Sequence, residues 1–317
     1  MSRVFARLGE KQNRARARIK FLIDKLGVEE FKRLVDAERK ILATDPRWTV
    51  YLPAAAAYQE EKPAGRVTAR GAASGDTADN TWLETNVYQQ RQAGYAAVTI
   101  SCPLGDITSQ QARQLADLAR KYCGGHVRTT VEQNLVFRWV SKSDLPEVYR
   151  GLQAIGLNEY GAGTILDVTA CPGTDTCKLG IASSRGLARE LRTRLADKFF
   201  TLDAAVKGLR IKMSGCFNSC GQHHIADIGF YGNTRTIGDR KVPHFQVLLG
   251  GRWRNNAGSY GLAIGSVPAK NVPAVVERIT ERYVRDRQGA EVFQDFIARI
   301  GKAESRRMIE DLMRAGL

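Results

Sequence analysis

Apolar residues recur at helical spacing through the first part of the chain. Residues 1–42 contain two amphipathic segments on either side of Gly27, and this pattern predicts a helical segment over that range. The apolar positions are Ile19, Phe21, Leu22, Ile23 and Leu26 before the glycine and Phe31, Leu34 and Val35 after it. Arginines and lysines precede the first segment, which is typical of a solvated helix face.

Prolines, alanines and glycines replace this periodic pattern over residues 43–86. Large apolar residues are scarce after Tyr58, so this part of the chain has little to bury. The composition is typical of a linker or a peripheral arm with little regular structure. We therefore predict a linker over 43–86, in which Trp48 and Trp82 are ordinary packing anchors.

From Val87 the pattern becomes strand, helix, strand, strand, helix. Thr108 is placed to cap the first of these helices, Gly124 to end it and Asp144 to cap the second. The predicted strands cover 96–101, 127–131 and 135–140, and the predicted helices cover 108–120 and 144–152. This order is half of a ferredoxin-like α+β sandwich, which we assign to residues 87–157. A half sheet leaves an edge open, and no internal repeat supplies a second copy, so we expect pairing with another half.

Residues 158–300 are predicted to form a second region, of mixed α/β type, in which strands lead into cysteines. A strand over 164–170 ends at Cys171, and a strand over 209–213 runs toward Cys216. Rigid strand ends can hold ligands that are distant in sequence close together. The other predicted elements are strands over 225–230 and 242–249, helices over 183–198, 272–287 and 290–300, and a basic helical tail over 301–317.

Composition and charge narrow the function classes. The chain has 317 residues, 43% of them hydrophobic, and a formal net charge of +15. It contains no apolar run long enough to cross a membrane and no signal h-region, so we expect a cytoplasmic protein without a membrane partner. This positive net charge favours anionic partners or ligands. Nucleic acid is not expected among them, because no nucleic-acid motif accompanies the charge and the aromatic residues are not interleaved with the basic runs.

Four of the six cysteines form two close pairs. Five residues separate Cys171 from Cys177, and three separate Cys216 from Cys220, whereas Cys102 and Cys123 are isolated. Four thiolates suit either tetrahedral zinc or an iron–sulfur cluster, and the wider first loop favours the larger group. Two alternatives stay open on the residues alone: a structural zinc site and four buried cysteines without metal.

The two cysteine motifs, with the segment Ala226-Asp-Ile-Gly-Phe230 that follows them, resemble the cluster region of siroheme-dependent sulfite and nitrite reductases. The resemblance implies that Cys171, Cys177, Cys216 and Cys220 hold a 4Fe-4S cluster and that the Cys220 sulfur also bridges to the siroheme iron. Phe217 departs from the pattern, because proline is commonest at that position. The departure affects the turn and not the ligands.

Other segments resemble the same family. The stretch from Arg128 to Asn134 is similar to a strand and turn that face the tetrapyrrole, and the stretch beginning at Leu8 is similar to the segment that closes the first half of full-length reductases. The residues implied to contact siroheme are Arg128, Thr130, Gln133, Asn134, Ala170, Asn218 and Cys220. For any single polar residue of this set, the alternative is a sheet-surface side chain without a ligand.

Taken together, the expected fold class is α+β: an N-terminal helical segment, a ferredoxin-like half sandwich and a mixed α/β domain for siroheme and the 4Fe-4S cluster. The resemblance implies six-electron reduction of nitrite to ammonia or of sulfite to sulfide, with ferredoxin or a flavoprotein as electron donor. The motif details lean slightly toward nitrite. In the family the substrate-binding arginines and lysines come mainly from the first half. We therefore assign no catalytic residue, and we expect this chain to be the C-terminal half, working with an N-terminal half or subunit.

Two other functions stay open at this point. The chain could be a non-catalytic iron–sulfur electron-transfer or scaffold subunit, or a zinc-stabilised basic binding module. Arg252 and Arg254 are candidates for siroheme carboxylates or acidic partner residues, with a solvated pair as the alternative. For His223 and His224 we favour a surface pair over hydrogen bonding around the cluster. The glycine-rich segment 250–265 lacks a strand-linked G-x-G-x-x-G motif, which argues against nucleotide binding.

Overall fold

The computed structural model describes residues 1–13, 16–58, 79–253 and 258–314. Arg254, residues 59–78 of the predicted linker and residues 315–317 of the predicted tail lie outside these ranges. The chain divides into two compact units, Met1–Glu61 and Lys62–Leu317. None of the helices in the described ranges is long and apolar enough to cross a membrane.

The first unit is helical. Its described helices are α1 (Ser2–Leu8), α2 (Ile19–Leu26), α3 (Val28–Ile41) and α4 (Leu52–Ala57). Gly27 separates α2 from α3 and has a φ of +82°, which favours glycine, so the predicted division of the helical segment is confirmed. Val4, Leu22 and Phe31 form a small core. Part of the predicted linker is helical, and the anchor role predicted for Trp48 is wrong, because 58% of this residue is exposed.

The second unit begins with a small antiparallel sheet covered by helices. Its elements are α5 (Asn80–Asn86), β1 (Val87–Gln89), β2 (Tyr95–Ile100), α6 (Ser109–Tyr122), β3 (Arg128–Thr129), β4 (Leu135–Ser141) and α7 (Leu145–Ala154). The strand order is β1-β2-β4-β3, and each neighbouring pair is antiparallel. Trp82, Val98, Phe137 and Leu152 are completely buried in its core, so Trp82 is the anchor that the sequence predicts.

Local signals decide where these elements begin and end. Thr108 caps α6 and Gln111 returns a hydrogen bond to the Thr108 backbone, which is a complete capping box. Asp144 precedes α7 as predicted but makes no side-chain capping bond. The strand predicted over 127–131 is reduced to β3, because from Thr130 to Asn134 the chain forms a tight turn closed by the Thr130 amide and the Asn134 carbonyl.

A second, mixed sheet follows. Its strands are β5 (Thr169–Ala170), β6 (Ile211–Ser214), β7 (Ile228–Ile237), β8 (Arg240–Leu249) and β9 (Leu262–Pro268), in that spatial order. β5, β6 and β7 run parallel, whereas β8 and β9 are antiparallel to their neighbours. Thr169 lies beside Lys212 and Ala170 beside Met213, so β5 and β6 end at the same edge of the sheet.

One face of this sheet is apolar and the other is polar. Met213, Phe230 and Phe245 belong to the main core, whereas Lys212 and Ser214, which alternate with Met213 along β6, are buried polar residues of the opposite face. The remaining helices are α8 (Ser184–Lys198), α9 (Ala204–Lys207), α10 (Val272–Asp286), α11 (Phe293–Arg307) and α12 (Glu310–Arg314). The core packs against α8, α10 and α11 through side chains such as Leu191 and Phe296.

The second sheet differs from expectation in two places. The strand predicted over 164–170 is limited to β5, because residues 164–167 form a turn in which the Asp167 amide donates to the Thr164 carbonyl at 3.0 Å. The sequence analysis did not predict β9, which lies partly within the glycine-rich segment. The predicted tail is partly confirmed as helix, since α11 runs past residue 301 and α12 follows.

Candidate metal and cofactor site

The parallel ends of β5 and β6 carry the two cysteine turns. Cys171 follows β5 directly, and its backbone amide donates to the carbonyl of Met213 in β6 at 3.1 Å. Cys216 follows β6 after one glycine. Cys171 and Cys216 are buried, whereas Cys177 and Cys220 are exposed. Each turn therefore presents one thiol inside the fold and one at its surface.

Glycines let the two turns approach each other closely. The Gly215 amide donates to the Cys171 sulfur at 3.1 Å, so the second turn supplies a hydrogen bond to the first. A Cβ atom at Gly215 would lie 2.5 Å from the Cα atom of Gly173. A Cβ atom at Gly221 would lie 2.0 Å from the Met213 carbonyl oxygen. Larger residues at these positions cannot be accommodated without moving the backbone.

The four paired cysteines interact electrostatically. The pKa of the Cys220 thiol is raised, first by partial burial and then by Cys171, Cys216 and Cys177. Cys220 therefore lies within electrostatic range of each of the other three. Within the described ranges, no group of three or more His, Cys, Asp or Glu side chains is arranged to hold a single metal ion.

A cavity of about 350 Å³ lies beside the first cysteine turn. Its lining includes Thr130, Gln133, Asn134 and Ala170, four of the residues that the sequence analysis assigns to siroheme. The structure thus brings these four residues to one cavity. Arg128 and Asn218 do not line it: Arg128 is exposed on β3, and Asn218 lies half-buried between Cys216 and Cys220.

The turn between β3 and β4 is fastened to the second sheet. Gln133 donates to the Ala170 carbonyl at 3.0 Å and accepts from the Ala170 amide at 3.2 Å. Asn134 donates to both carboxylate oxygens of Asp167 at 2.9 and 3.1 Å and accepts from the Cys102 amide at 3.0 Å. These side chains therefore hold the segment that enters the first cysteine turn. Whether they also contact a tetrapyrrole stays a prediction.

The surface position favoured for the histidine pair is wrong for His223. This residue is completely buried, and its Nδ1 atom lies 2.8 Å from the Ser214 hydroxyl, which also accepts from the Gly221 amide at 3.0 Å. Burial, and then His224, lowers the pKa of His223 to about 3, so the ring is neutral near neutral pH. His224 is half-buried and stacks on His223 with 4.2 Å between ring centroids. Its Nδ1 atom lies 2.9 Å from the Ser219 hydroxyl.

The glycine-rich segment packs on the chain that follows Cys220. The Gly250 amide donates to Asp227, the Gly251 amide to Ala226 and the Gly261 amide to His224, each through a backbone carbonyl at 2.7 to 3.0 Å. A Cβ atom at Gly251 would lie 2.6 Å from several of these backbone atoms. This packing accounts for Gly250, Gly251 and Gly261. Arg252 pairs with Asp295 at 2.5 Å, so its guanidinium already has a carboxylate partner.

The sequence analysis missed several residues of this region. Cys102, Asp106 and Arg185 also line the cavity, and Arg185 pairs with both Asp106 and Asp175. Burial raises the pKa of the Cys102 thiol to about 11, so this cysteine is protonated and unreactive at neutral pH. Lys212, in the predicted strand over 209–213, is a buried polar residue of β6. None of these residues belongs to a motif: Cys102 and Asp106 come from a distant part of the chain, and Arg185 and Lys212 flank the cysteine pairs without a recognisable spacing.

Family models match most of the chain. One described as the nitrite/sulfite reductase ferredoxin-like half domain matches residues 88–155. Another described as the nitrite and sulphite reductase 4Fe-4S domain matches residues 1–41 and 161–315. The half sandwich and the region with the paired cysteines therefore correspond to separate family models.

Similar whole proteins are about twice as long. Sulfite reductase (ferredoxin) 1 of Mycolicibacterium paratuberculosis is 29% identical over 313 residues, which cover 96% of this chain and 51% of that protein. The chloroplastic ferredoxin–nitrite reductase of Zea mays is 30% identical over 287 residues, which cover 87% of this chain and 45% of that protein. The chain spans about half the length of the curated relatives it matches.

Solved structures share the fold of this chain. The structure of the Mycobacterium tuberculosis NirA protein matches with a TM-score of 0.65 and 26% identity, over 94% of this chain and 50% of that one. A dissimilatory sulfite reductase I shares the fold, with a TM-score of 0.54 and 11% identity over 68% of each chain. The expected α+β fold is confirmed.

Proposed function

The chain belongs to the nitrite and sulfite reductase family, and from this premise we propose that it is the cluster-bearing and siroheme-bearing half of an assimilatory reductase. The reaction is the six-electron reduction of nitrite to ammonia or of sulfite to sulfide. The observation that carries the proposal is that two parallel neighbouring strands end in the paired cysteines, with the Gly215 amide of the second turn donating to the Cys171 sulfur of the first, in a family whose domain is named for its 4Fe-4S cluster. An assignment to one of the two anions needs a measurement of turnover.

Cys171, Cys177, Cys216 and Cys220 are the proposed ligands of the 4Fe-4S cluster. Thiolates are the ligands that such clusters use. The Gly215 amide already donates to the Cys171 sulfur, the type of hydrogen bond that tunes cluster potentials. The exposed position of Cys177 and Cys220 leaves these thiols open toward a group outside the fold. The donor set therefore fits the cluster.

Siroheme is proposed to lie against the cavity beside the first turn, with the Cys220 sulfur as the bridge to its iron. Thr130, Gln133, Asn134 and Ala170 would form the wall, together with Arg128 and Asn218 nearby. The cavity, at about 350 Å³, is at the small end of ligand sites, so it would hold one part of a tetrapyrrole. When bound, the coupled cluster and siroheme supply the electron transfers and the open iron position at which an anion is reduced.

The chain itself would supply ligands and would orient them. Gln133 and Asn134 fix the entry to the first turn through Ala170 and Asp167. Ser214 fixes the exit from the second turn through Gly221 and His223. Substrate anions need cationic side chains for binding and proton supply, and these are proposed to come from a second half. No catalytic residue of this chain is assigned.

The proposed partners are an N-terminal half and an electron donor. Leu179, Ile181 and Phe217 are exposed apolar residues on the two cysteine turns, a surface that suits coverage by another protein half. The net charge of +15 suits an acidic electron donor such as ferredoxin, with a flavoprotein as the other possibility. The cytoplasmic location expected from the sequence stays a prediction.

The test starts from the purified chain, supplied with siroheme, iron and sulfide without oxygen. We expect about four irons per chain, the absorbance of an iron–sulfur cluster and a siroheme band. Replacing any of the four paired cysteines by serine should abolish cluster absorbance, whereas Cys102→Ser and Cys123→Ser should retain it. Zinc without iron would overturn the proposal in favour of a binding module. A cluster without siroheme would favour an electron-transfer or scaffold subunit.

A second experiment tests the division of labour between halves. The chain is expressed alone or together with an N-terminal half of a related reductase, and reduction of nitrite and sulfite is driven by reduced methyl viologen. We expect turnover only with both halves. Undiminished turnover by this chain alone would refute the need for a partner half. The ratio of the two rates identifies the preferred anion.

A further inference from the structure

The strand that leads to the second cysteine pair carries a buried lysine. Lys212 lies in β6, and 4% of its side chain is exposed. Lysine is almost never buried to this extent unless another group compensates its charge. The Glu132 carboxylate, in the turn between β3 and β4, lies 4.0 Å from the Lys212 ammonium, which is the outer limit of an ion pair. The compensation within the chain is therefore weak.

The ammonium is also poorly supplied with hydrogen-bond acceptors. Among the described residues its acceptor is the side-chain oxygen of Gln222, at 3.3 Å. An ammonium has three donors, so donor capacity is left over. The neighbouring Thr169 hydroxyl, on the same polar face, is buried without a partner in the described ranges. Burial and the charge of Arg210 lower the pKa of Lys212, whereas Glu132 and, less strongly, Asp167 raise it.

The position of Lys212 relates it to three of the four paired cysteines. Its cross-strand neighbour Thr169 is two residues before Cys171, and Lys212 itself is four residues before Cys216. Its acceptor Gln222 is two residues after Cys220. With about 3.3 Å of rise per strand residue, the Cα atom of Lys212 lies roughly 10 Å from Gly215, where the second cysteine turn begins. At that separation, charges inside a protein still interact appreciably.

We propose that Lys212 and Glu132 form an opposed pair of charges that sets the reduction potential of the cluster. The inference rests on the proposed function, because it requires the cluster in the cysteine turns. Neither residue is a catalytic residue here, because both act on the cluster only through the electrostatic field of their charges. Lys212 is buried beneath the turns and Glu132 is held opposite it by the turn that also clamps Ala170.

The signs of the two effects are opposite. Reduction adds negative charge to the cluster, so a nearby cation stabilises the reduced form and a nearby carboxylate opposes it. Removing the Lys212 charge should lower the reduction potential, and removing the Glu132 charge should raise it. A variant that merely loosens the cysteine turns has no reason to produce this opposition. The pair of signs therefore separates an electrostatic role from a structural one.

The test is a redox titration of the full chain, reconstituted with iron and sulfide and followed by electron paramagnetic resonance. We expect Lys212→Met to shift the ratio of reduced to oxidised cluster roughly tenfold toward oxidised, or about 59 mV for one electron. Glu132→Gln should shift it in the other direction by a smaller factor, because this side chain is 24% exposed. Lys212→Arg should restore most of the original potential.

The controls make each outcome decisive. Lys198→Met repeats the substitution at a lysine that is 58% exposed and paired with Glu277, and it should leave the potential unchanged. If Lys212→Met fails to take up the cluster, Glu132→Gln decides alone, and an unchanged or lowered potential in that variant overturns the inference. Equal shifts in one direction for both variants would do the same. A wild-type chain that takes up no cluster overturns the proposed function itself.

Discussion

The side-chain amide of Gln133 pairs with both backbone polar groups of Ala170, at 3.0 Å to the carbonyl oxygen and 3.2 Å from the amide nitrogen. β5 has β6 on one side only, so Gln133 occupies the position that the backbone of another strand would take on the open side. To reach this position, Gln133 has a φ of +67°, in the left-handed region. A side chain from the turn between β3 and β4 thereby makes the hydrogen bonds that a further strand would make at the edge of the larger sheet.

Removing this amide should destabilise the chain. Gln133→Ala leaves both polar groups of Ala170 without their partner, and Ala170 is 1% exposed. We expect a loss of about 1–3 kcal/mol in the free energy of unfolding, measured with urea. Gln133→Glu keeps the acceptor and loses the donor, so it should also destabilise. Gln110→Ala, on the exposed surface of α6, should change the value by less than about 0.5 kcal/mol; an equal loss there would contradict the clamp.

The six thiols of the cluster-free chain should differ in their rates of alkylation. Cys177 and Cys220 are exposed, so iodoacetamide should reach them first. Cys102 should react slowest at neutral pH, because it is 6% exposed and burial raises its pKa to about 11. Peptide mass spectrometry measures the order. Loading the cluster should protect the paired cysteines; rapid labelling of Cys102 before Cys177 would show that the described packing is wrong.

Gly221 should tolerate no larger residue. A Cβ atom there would lie 2.0 Å from the Met213 carbonyl oxygen, so Gly221→Ala must displace the backbone between β6 and the second cysteine turn. We expect a loss of several kcal/mol in stability, on the order of 3 kcal/mol, and poor cluster uptake by iron analysis. Gly258→Ala is the matched control, because nothing lies within 4 Å of its added Cβ atom. Equal iron content in the two variants would refute this account.

His223 should make stability depend on pH. Its pKa is lowered from 6.5 to about 3 by burial, so the unfolded chain binds a proton that the folded chain does not between these values. Stability should therefore rise with pH across this window, by on the order of 1.4 kcal/mol per pH unit at most, and fall as the pH is lowered.

The measurement is urea unfolding at several pH values. His223→Gln should flatten the dependence in this window, whereas His126→Gln, at an exposed histidine, should leave the slope unchanged. An unaltered slope in the His223 variant would mean that other groups cause the dependence.

The sequence predicts the parts of the fold that have local signals. α6 begins at its capping box, α8 begins after Ser183, and both cysteine turns follow strands, because periodicity and capping depend on residues a few positions apart. β9 is absent from the predicted elements because its one glycine, Gly265, follows Gly258 and Gly261 in a pattern typical of a loop, although a Cβ atom at Gly265 would lie 2.6 Å from the Met313 side chain. The strand before Cys171 is shorter than predicted because the turn from Thr164 to Asp167 contains the apolar residues Ile165 and Leu166, which have the composition of a strand.

The sequence predicts the cysteine ligands of the site but not the contacts that hold these cysteines in place. The spacing of the cysteines identifies them, but the bonds that hold them join residues far apart, such as Gln133 with Ala170 and Glu132 with Lys212. Lys212 alternates with apolar residues in β6 and has no motif to mark it. His223 and His224 are adjacent in sequence, yet the first is completely buried, with its ring against Tyr231 and its Nδ1 atom beside the Ser214 hydroxyl. Pairings of this kind are set by tertiary contacts, to which residue patterns do not respond.

The turn from Thr130 to Asn134 makes the small sheet a poor candidate for exchange as a module. Glu132, Gln133 and Asn134 reach Lys212, Ala170 and Asp167, which belong to the segments entering both cysteine turns. Replacing the small sheet by an unrelated half sandwich would therefore remove the partners of Lys212, Ala170 and Asp167 at the same time. Substitutions in either part are therefore constrained by the other part through five consecutive residues. Replacing the small sheet by that of a homologue should succeed only if residues 130–134 are replaced together with it.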